Sequence, residues 1–193
     1  ALGMIKNSIK KDTMILSLLN GIQSERDIAR VYGEQNLLYG FVISLNSIHE
    51  KNKIECSNYG TVVFGENDNS KSQRAAALCG LFKACAIDFL NPDDIHLEMW
   101  KKFLINVTIN TISALTRSPY GGFKYDSLKE AVRMAGSEVV AVANAQGIAL
   151  SQNMIEQNLA LWQTYDPYGK TSMLQDTEAA RPTENEWFCG TVC

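Results

Sequence analysis

"TMILSLLNGIQSERDIARVYGEQNLLYGFVISL", residues 13–45, decides the fold. It opens on a short continuous apolar run, residues 13–21, closed by Asn20-Gly21. That pattern marks a strand buried on both faces and ended by a turn. Residues 24–33 then switch to helical spacing, with Ser24 as candidate N-cap and Gly33 as stop. Residues 36–45 return to an apolar run, and residues 61–66 supply another, with the polar stretch "HEKNKIECSNYG" between them. Strand, helix, strand is the grammar of a βαβ sheet.

Outward from that stretch the chain changes character. A polar linker, "ENDNSKSQ" (66–73), leads into segments that read almost entirely as helix: 74–87, 95–116, 126–147, 151–165, 171–180 and 183–193. The fold class expected is α/β followed by all-α, divided into residues 1–70 and 71–193. Ser151 is a candidate cap. Ser172 with Gln175, and Thr183 with Glu186, have capping-box spacing. Three strands make an incomplete sheet, the chain opens inside an apolar-periodic segment (Leu2, Ile5, Ile9), and it stops inside another. The sequence is therefore expected to be a fragment, and its cut sheet edge is expected to favour self-association into a homo-oligomer.

Composition excludes several classes. The 193 residues are 46% apolar and 20% charged, with a net charge of −3, which is ordinary for a soluble globular chain. No basic patch suits nucleic acid, and no run approaches the roughly 20 apolar residues of a membrane span. The five cysteines lack C-x-x-C spacing and have only His49 and His96 as imidazole company. No metal site is expected, both histidines read as structural, and reduced thiols fit a cytoplasmic protein. Trp100 and Trp187 read as core residues.

"EMWKKFLINVTINTISAL", residues 98–115, carries the chemistry. Lys102, Asn106 and Asn110 are four residues apart each time. Four residues turn an α-helix through about 400°, so the three form a slowly drifting stripe, with Ser113 near the same line. The plain reading is a solvated face. The functional reading is a cleft wall, in which an ammonium neutralises an anion or delivers a proton and two carboxamides hold hydroxyls and a carboxylate. Lys101 points about 100° away. Asn20 sits at a strand's carboxyl end, where open α/β sheets bind ligands; a simple Asn-Gly turn is the alternative. Ser172 and Glu184 lie at helix starts, where capping alone can account for the serine.

Together these blocks resemble the ketopantoate reductase family. "WKKFLINVTIN" is similar to its lysine with two asparagines at four-residue intervals, "SMLQDTEAARPTE" (172–184) to its S-M-L-Q-D … R-x-T-E segment, and "LSLLNG" (16–21) to its Asn-Gly strand end. The resemblance implies the tail of a Rossmann-type domain joined to a helical domain like that of 6-phosphogluconate dehydrogenase. It implies NADPH-dependent reduction of 2-dehydropantoate, a small-molecule 2-keto acid, on the way to pantothenate and coenzyme A. It also implies roles: Lys102 as general acid, Asn106, Asn110 and Ser172 as substrate ligands, Glu184 where substrate meets cofactor, and Asn20 between nicotinamide and substrate. Two departures stand out. No two glycines are spaced G-x-G, so the phosphate loop is absent, and the fragment alone is expected to be inactive. Tyr120 stands where some relatives have a substrate-side asparagine. A related dehydrogenase of another hydroxy acid, or a non-catalytic helical module, are the alternatives.

Overall fold

Two hydrogen-bonded residues, Ile15–Leu16 (β1), are all that the first apolar run contributes to the sheet. The run shortens because Ser17 turns its hydroxyl inward to Ser24, which starts the bend toward the helix Ser24–Tyr32 (α1). The computed structural model describes residues 2–50 and 52–193, the side chains of residues 46 and 48–50 excepted. His49, read above as structural, has its side chain outside the described residues.

After α1 the chain returns as β2 (Leu37–Glu50), parallel to β1 with Ile15 opposite Leu37 and Leu16 opposite Leu38. This is the βαβ unit read from residues 13–45. The next stretch differs from expectation. The polar residues between the two apolar runs are not a connection. They extend β2 and β3 (Lys53–Gly65) into a long antiparallel ribbon, paired from Tyr39–Gly65 out to Glu50–Lys53, with one irregularity at Asn46/Ser47. The helix Gln73–Ala84 (α2) then crosses over to Phe89–Leu90 (β4), which pairs parallel to β3 and completes the sheet order β1-β2-β3-β4. Leu38, Val62, Phe64 and Ala75 form the core under α2, with Phe82 standing edge-on to Phe64 at 5.6 Å. Residues 2–8 coil into a 3-10 turn that buries no side chain, rather than the amphipathic helix their spacing suggests.

One polar cluster staples this unit. The buried Glu66 carboxylate receives Arg74 Nε at 2.7 Å, a second Arg74 nitrogen and the Ser72 hydroxyl, and Arg74 also reaches the carbonyls of Gln35 and Leu37. The Arg74 hydrogen bonds hold the Glu66 pKa below the ordinary glutamate range. Removing one partner strands the other charge, so Arg74→Met should cost about 3 kcal/mol in urea unfolding at neutral pH. A depressed carboxylate pKa contributes stability that is lost as pH falls through it, so that cost should shrink in acid. An equal cost at pH 3 and pH 7 would refute the assignment. His96 serves the same unit, its Nε2 2.8 Å from the Asn67 carbonyl and its ring edge-on to Tyr39.

The chain clusters into two compact units, residues 1–99 and 100–193, and β4, paired to β3, lies in the first of them together with α2. The helix Ile95–Ile105 (α3) begins in the first unit and continues into the second. There it opens into a wide π turn over Asn106–Asn110 and resumes as α4 (Thr111–Thr116). Asp126–Ala145 (α5), Asn153–Trp162 (α6), Ser172–Glu178 (α7) and Asn185–Val192 (α8) complete this helical unit. Gly136 lets α5 and α6 close up, since a β-carbon there would come within 2.9 Å of Ile155 Cδ1. Phe103, Leu104, Ile109, Phe123, Val139, Leu174 and Phe188 fill the core. Trp100 is buried as expected, whereas Trp187 is 50% exposed: it neighbours the inward Phe188 and so lies off the buried side of α8. Among the described residues no helix is long and apolar enough to cross a membrane.

Candidate functional site

The π turn has a local cause. Thr108 sends its hydroxyl back to the Leu104 carbonyl at 2.6 Å, competing for the acceptor that its own N–H would use in an α-helix. Thr111 bonds the Asn106 carbonyl at 3.4 Å, five residues back, and Cys189 of α8 bonds the Thr111 hydroxyl at 3.6 Å. The widened stretch is thus supported by side chains on both sides.

That widening places the stripe. From Lys102 to Asn106 the α-helix overshoots a full turn by about 40°. From Asn106 to Asn110 the π geometry, with about 4.4 residues per turn, falls short by about 30°. The two errors nearly cancel, so the three side chains share one line more closely than an unbroken α-helix allows. Asn110 Nδ2 accordingly donates to Asn106 Oδ1 at 3.2 Å. Ser113, also buried, uses its hydroxyl on the Ser118 carbonyl at 2.6 Å to fix the turn after α4.

The stripe is not a wet face. Asn106 is only 5% exposed, yet its Nδ2 finds no acceptor among the described residues. An unpaired buried amide costs about 1–3 kcal/mol, which an incoming acceptor would recover. Lys102 is half-buried, and burial pushes its pKa down to about 8, while the negative charge of Glu184 opposes the fall. Lysine and glutamate are therefore electrically coupled, although 82 residues apart in sequence.

Glu184 precedes α8 in the capping position, but its carboxylate makes no capping bond, and Thr183 and Glu186 form no capping box. Phe188, one turn into α8, is fully buried and edge-on to Phe103 at 6.4 Å, which ties the start of α8 to the residue beside Lys102. Ser172 is likewise released from the expected task. Thr171 caps α7, its hydroxyl accepting from the Leu174 N–H at 3.2 Å, and Ser172 is exposed in the first turn.

Asn20 belongs to the first unit. It is half-buried in the bend after β1, beside Gly21 at φ +88°, at the carboxyl end of a parallel strand. Its loop hangs on a chain that spacing did not reveal. Ser24 donates to Glu25 at 3.0 Å and bonds Ser17 at 2.8 Å, and the Ser17 oxygen accepts from the Leu19 N–H at 3.5 Å. Glu25 is fully buried, and burial pushes its carboxyl pKa up. An acidic residue in the first turn of a helix ordinarily reads as exposed, so nothing in the sequence marks this burial.

The sequence matches the family described as "Ketopantoate reductase PanE/ApbA" over residues 1–69 and "Ketopantoate reductase PanE/ApbA C terminal" over residues 94–193. It is similar to a 2-dehydropantoate 2-reductase of Streptococcus pyogenes serotype M3, with 26% identity over 191 residues covering 97% of this chain and 62% of that protein. The crystal structure of 2-dehydropantoate 2-reductase from Geobacter metallireducens GS-15 superposes with a TM-score of 0.87 at 27% identity, over 97% of this chain and 63% of that one. A D-mandelate dehydrogenase bound to NADH and anilino(oxo)acetate shares the fold, with a TM-score of 0.88 at 24% identity over 99% of this chain and 65% of that one. The chain spans about three fifths of the length of the curated relatives it matches, 62% for the S. pyogenes protein.

Proposed function

Because this chain belongs to the ketopantoate reductase family, whose C-terminal part it matches over residues 94–193, we propose that its full-length protein is an oxidoreductase that reduces a 2-keto acid to the 2-hydroxy acid. The observation that carries the reading is the half-buried Lys102, with a pKa near 8 and coupled to Glu184, on the line of two buried carboxamides. NADPH is the proposed nucleotide and 2-dehydropantoate the reference substrate, supported by the relatives from S. pyogenes and G. metallireducens. The cytoplasm is the proposed location, in keeping with five free thiols.

Hydride for the keto carbon would come from a nicotinamide nucleotide when one is bound. Everything else falls to residues of this chain. As the carbonyl oxygen gains charge, the Lys102 ammonium stabilises it more than it stabilises the ground state and passes it a proton. Asn106 offers its unsatisfied N–H to a substrate oxygen, and Asn110 fixes the rotamer of Asn106. Ser172, free of capping duty, is the proposed ligand of the carboxylate end. Glu184 keeps Lys102 protonated near neutrality. Asn20, at the strand's carboxyl end, is the proposed neighbour of the nicotinamide; no G-x-G occurs in this sequence to cradle a pyrophosphate.

The test follows nicotinamide absorbance with full-length protein, 2-dehydropantoate and either NADPH or NADH. Turnover is expected, with a rate that falls as Lys102 loses its proton. Glu184→Gln should move that falling limb to lower pH, since the charge that holds the proton on is gone. A pH profile unmoved by this substitution would remove Glu184 from the site. A non-catalytic helical module predicts no turnover with any keto acid.

A further inference from the structure

One aromatic cluster of the helical unit takes no part in the chemistry above. Tyr120 opens a 3-10 turn (Tyr120–Lys124), and its N–H donates to the Gly169 carbonyl at 2.9 Å. Gly121 N–H donates to the Pro167 carbonyl at 2.9 Å, and the Tyr120 hydroxyl donates to the Lys170 carbonyl at 3.2 Å. Two loops are thereby joined. One continues from Ser118, which Ser113 at the end of the stripe holds; the other runs within three residues into Ser172. The cluster borders the proposed carboxylate-binding end.

Its rings are fixed. Tyr120 lies 4.8 Å from Trp162 and 5.6 Å from Tyr165, and these two are 4.8 Å apart. Gly169 makes room for the tyrosine, since a β-carbon there would come within 2.8 Å of its Cδ2. Tyr120 remains half-buried and Tyr165 is 43% exposed, so tyrosine surface stays open, and the Tyr120 hydroxyl bonds the chain two residues before the exposed Ser172. The proton of the Tyr120 hydroxyl is already committed to Lys170.

Resting on the 2-keto acid reading, we infer that this wall receives the side chain of the substrate, that the side chain it selects is a planar aromatic ring, and that Tyr120 is the specificity-determining residue. A hydroxylated aliphatic chain would meet ring faces and edges and leave its hydroxyl poorly paired. An aryl ring gains edge-to-face contacts from Tyr120 and Tyr165, whose rings are held by each other and by the buried Trp162 and so lose little freedom on binding. Inside the reaction proposed above the substrate is then an aryl 2-keto acid, and the product an aryl 2-hydroxy acid.

The experiment uses full-length protein with nicotinamide cofactor and three probes: phenylglyoxylate, 2-ketoisovalerate and 2-dehydropantoate. Wild type should favour phenylglyoxylate over 2-ketoisovalerate in kcat/KM by about tenfold or more. Tyr120→Leu should lower that ratio by about tenfold, chiefly through KM for phenylglyoxylate, and Tyr120→Phe should retain it. Tyr120→Met replaces the leucine variant if the latter melts early. A ratio unmoved by leucine or methionine, or a preference for 2-dehydropantoate that both variants share, overturns the inference while leaving the reductase intact. Absence of turnover with all three probes overturns the reductase reading, and this inference with it.

Discussion

Lys102→Ala in the full-length protein should lower kcat for keto-acid reduction by about a hundredfold to ten-thousandfold, the usual worth of a positioned general acid. The loss belongs mainly in kcat, because the ammonium acts on charge that develops only as the carbonyl is reduced. Its pH signature follows from burial. With a pKa near 8, wild-type Lys102 is protonated through neutrality and loses its proton as pH rises through that value, so reduction should be level below and decline above. Lys102→Arg keeps the charge but releases no proton in this range, so it should be slow and nearly flat with pH. A stability signature accompanies the kinetic one. Folded Lys102 gives up its proton more readily than the unfolded chain does. From about pH 8 up to the ordinary lysine value the unfolded state binds the extra proton, so stability contributed by this group rises with pH across that window. An alanine variant with wild-type kcat would end the assignment of Lys102 as the acid.

The second large effect lies away from the reacting atoms. Phe188→Ala should destabilise the protein by about 3–5 kcal/mol, because a fully buried ring leaves a cavity among packed neighbours. Phe188 stacks edge-on against Phe103, which stacks likewise on Trp100 at 5.4 Å, so the three rings key α8 to α3. Loosening α8 also loosens Glu184, whose charge opposes the burial shift on Lys102. In the protein that stays folded, the falling limb of the pH profile should therefore move to lower pH. Phe188→Leu should do both to a smaller extent. Urea unfolding checks the stability, and an initial-rate pH profile checks the coupling; a large stability loss with no displacement of the profile would break the proposed link between α8 and the lysine.

How much of this the sequence revealed depended on the range of the interaction. The βαβ unit was legible because burial on two faces writes itself as uninterrupted apolar runs. The ribbon was not: beyond Ile43 its described side chains are mostly exposed and alternate only weakly, so the polar stretch reads as a connection although it pairs along its length. Lys102, Asn106 and Asn110 were legible as a set from spacing alone, since helical geometry is local. The π turn that aligns them was not, because it depends on where the hydroxyls of Thr108 and Thr111 point and on Cys189 reaching from the chain's far end. Capping residues were misread by one place. Thr171 and Ser172 are equally able to cap, and only the backbone direction at Thr171, φ −66° and ψ 158°, selects it. That one-place difference decides whether Ser172 is a structural residue or is left for a ligand.

The widened turn at Asn106–Asn110 also limits what can be improved. A designer raising thermal tolerance would replace the threonines at 108 and 111 with stronger helix formers, and the helix would gain regularity. The same change would withdraw the hydroxyls that hold the backbone open and rotate Asn110 out of alignment with Asn106. If the stripe acts as proposed, robustness and reactivity draw on the same few backbone carbonyls, so selection for one is paid in the other.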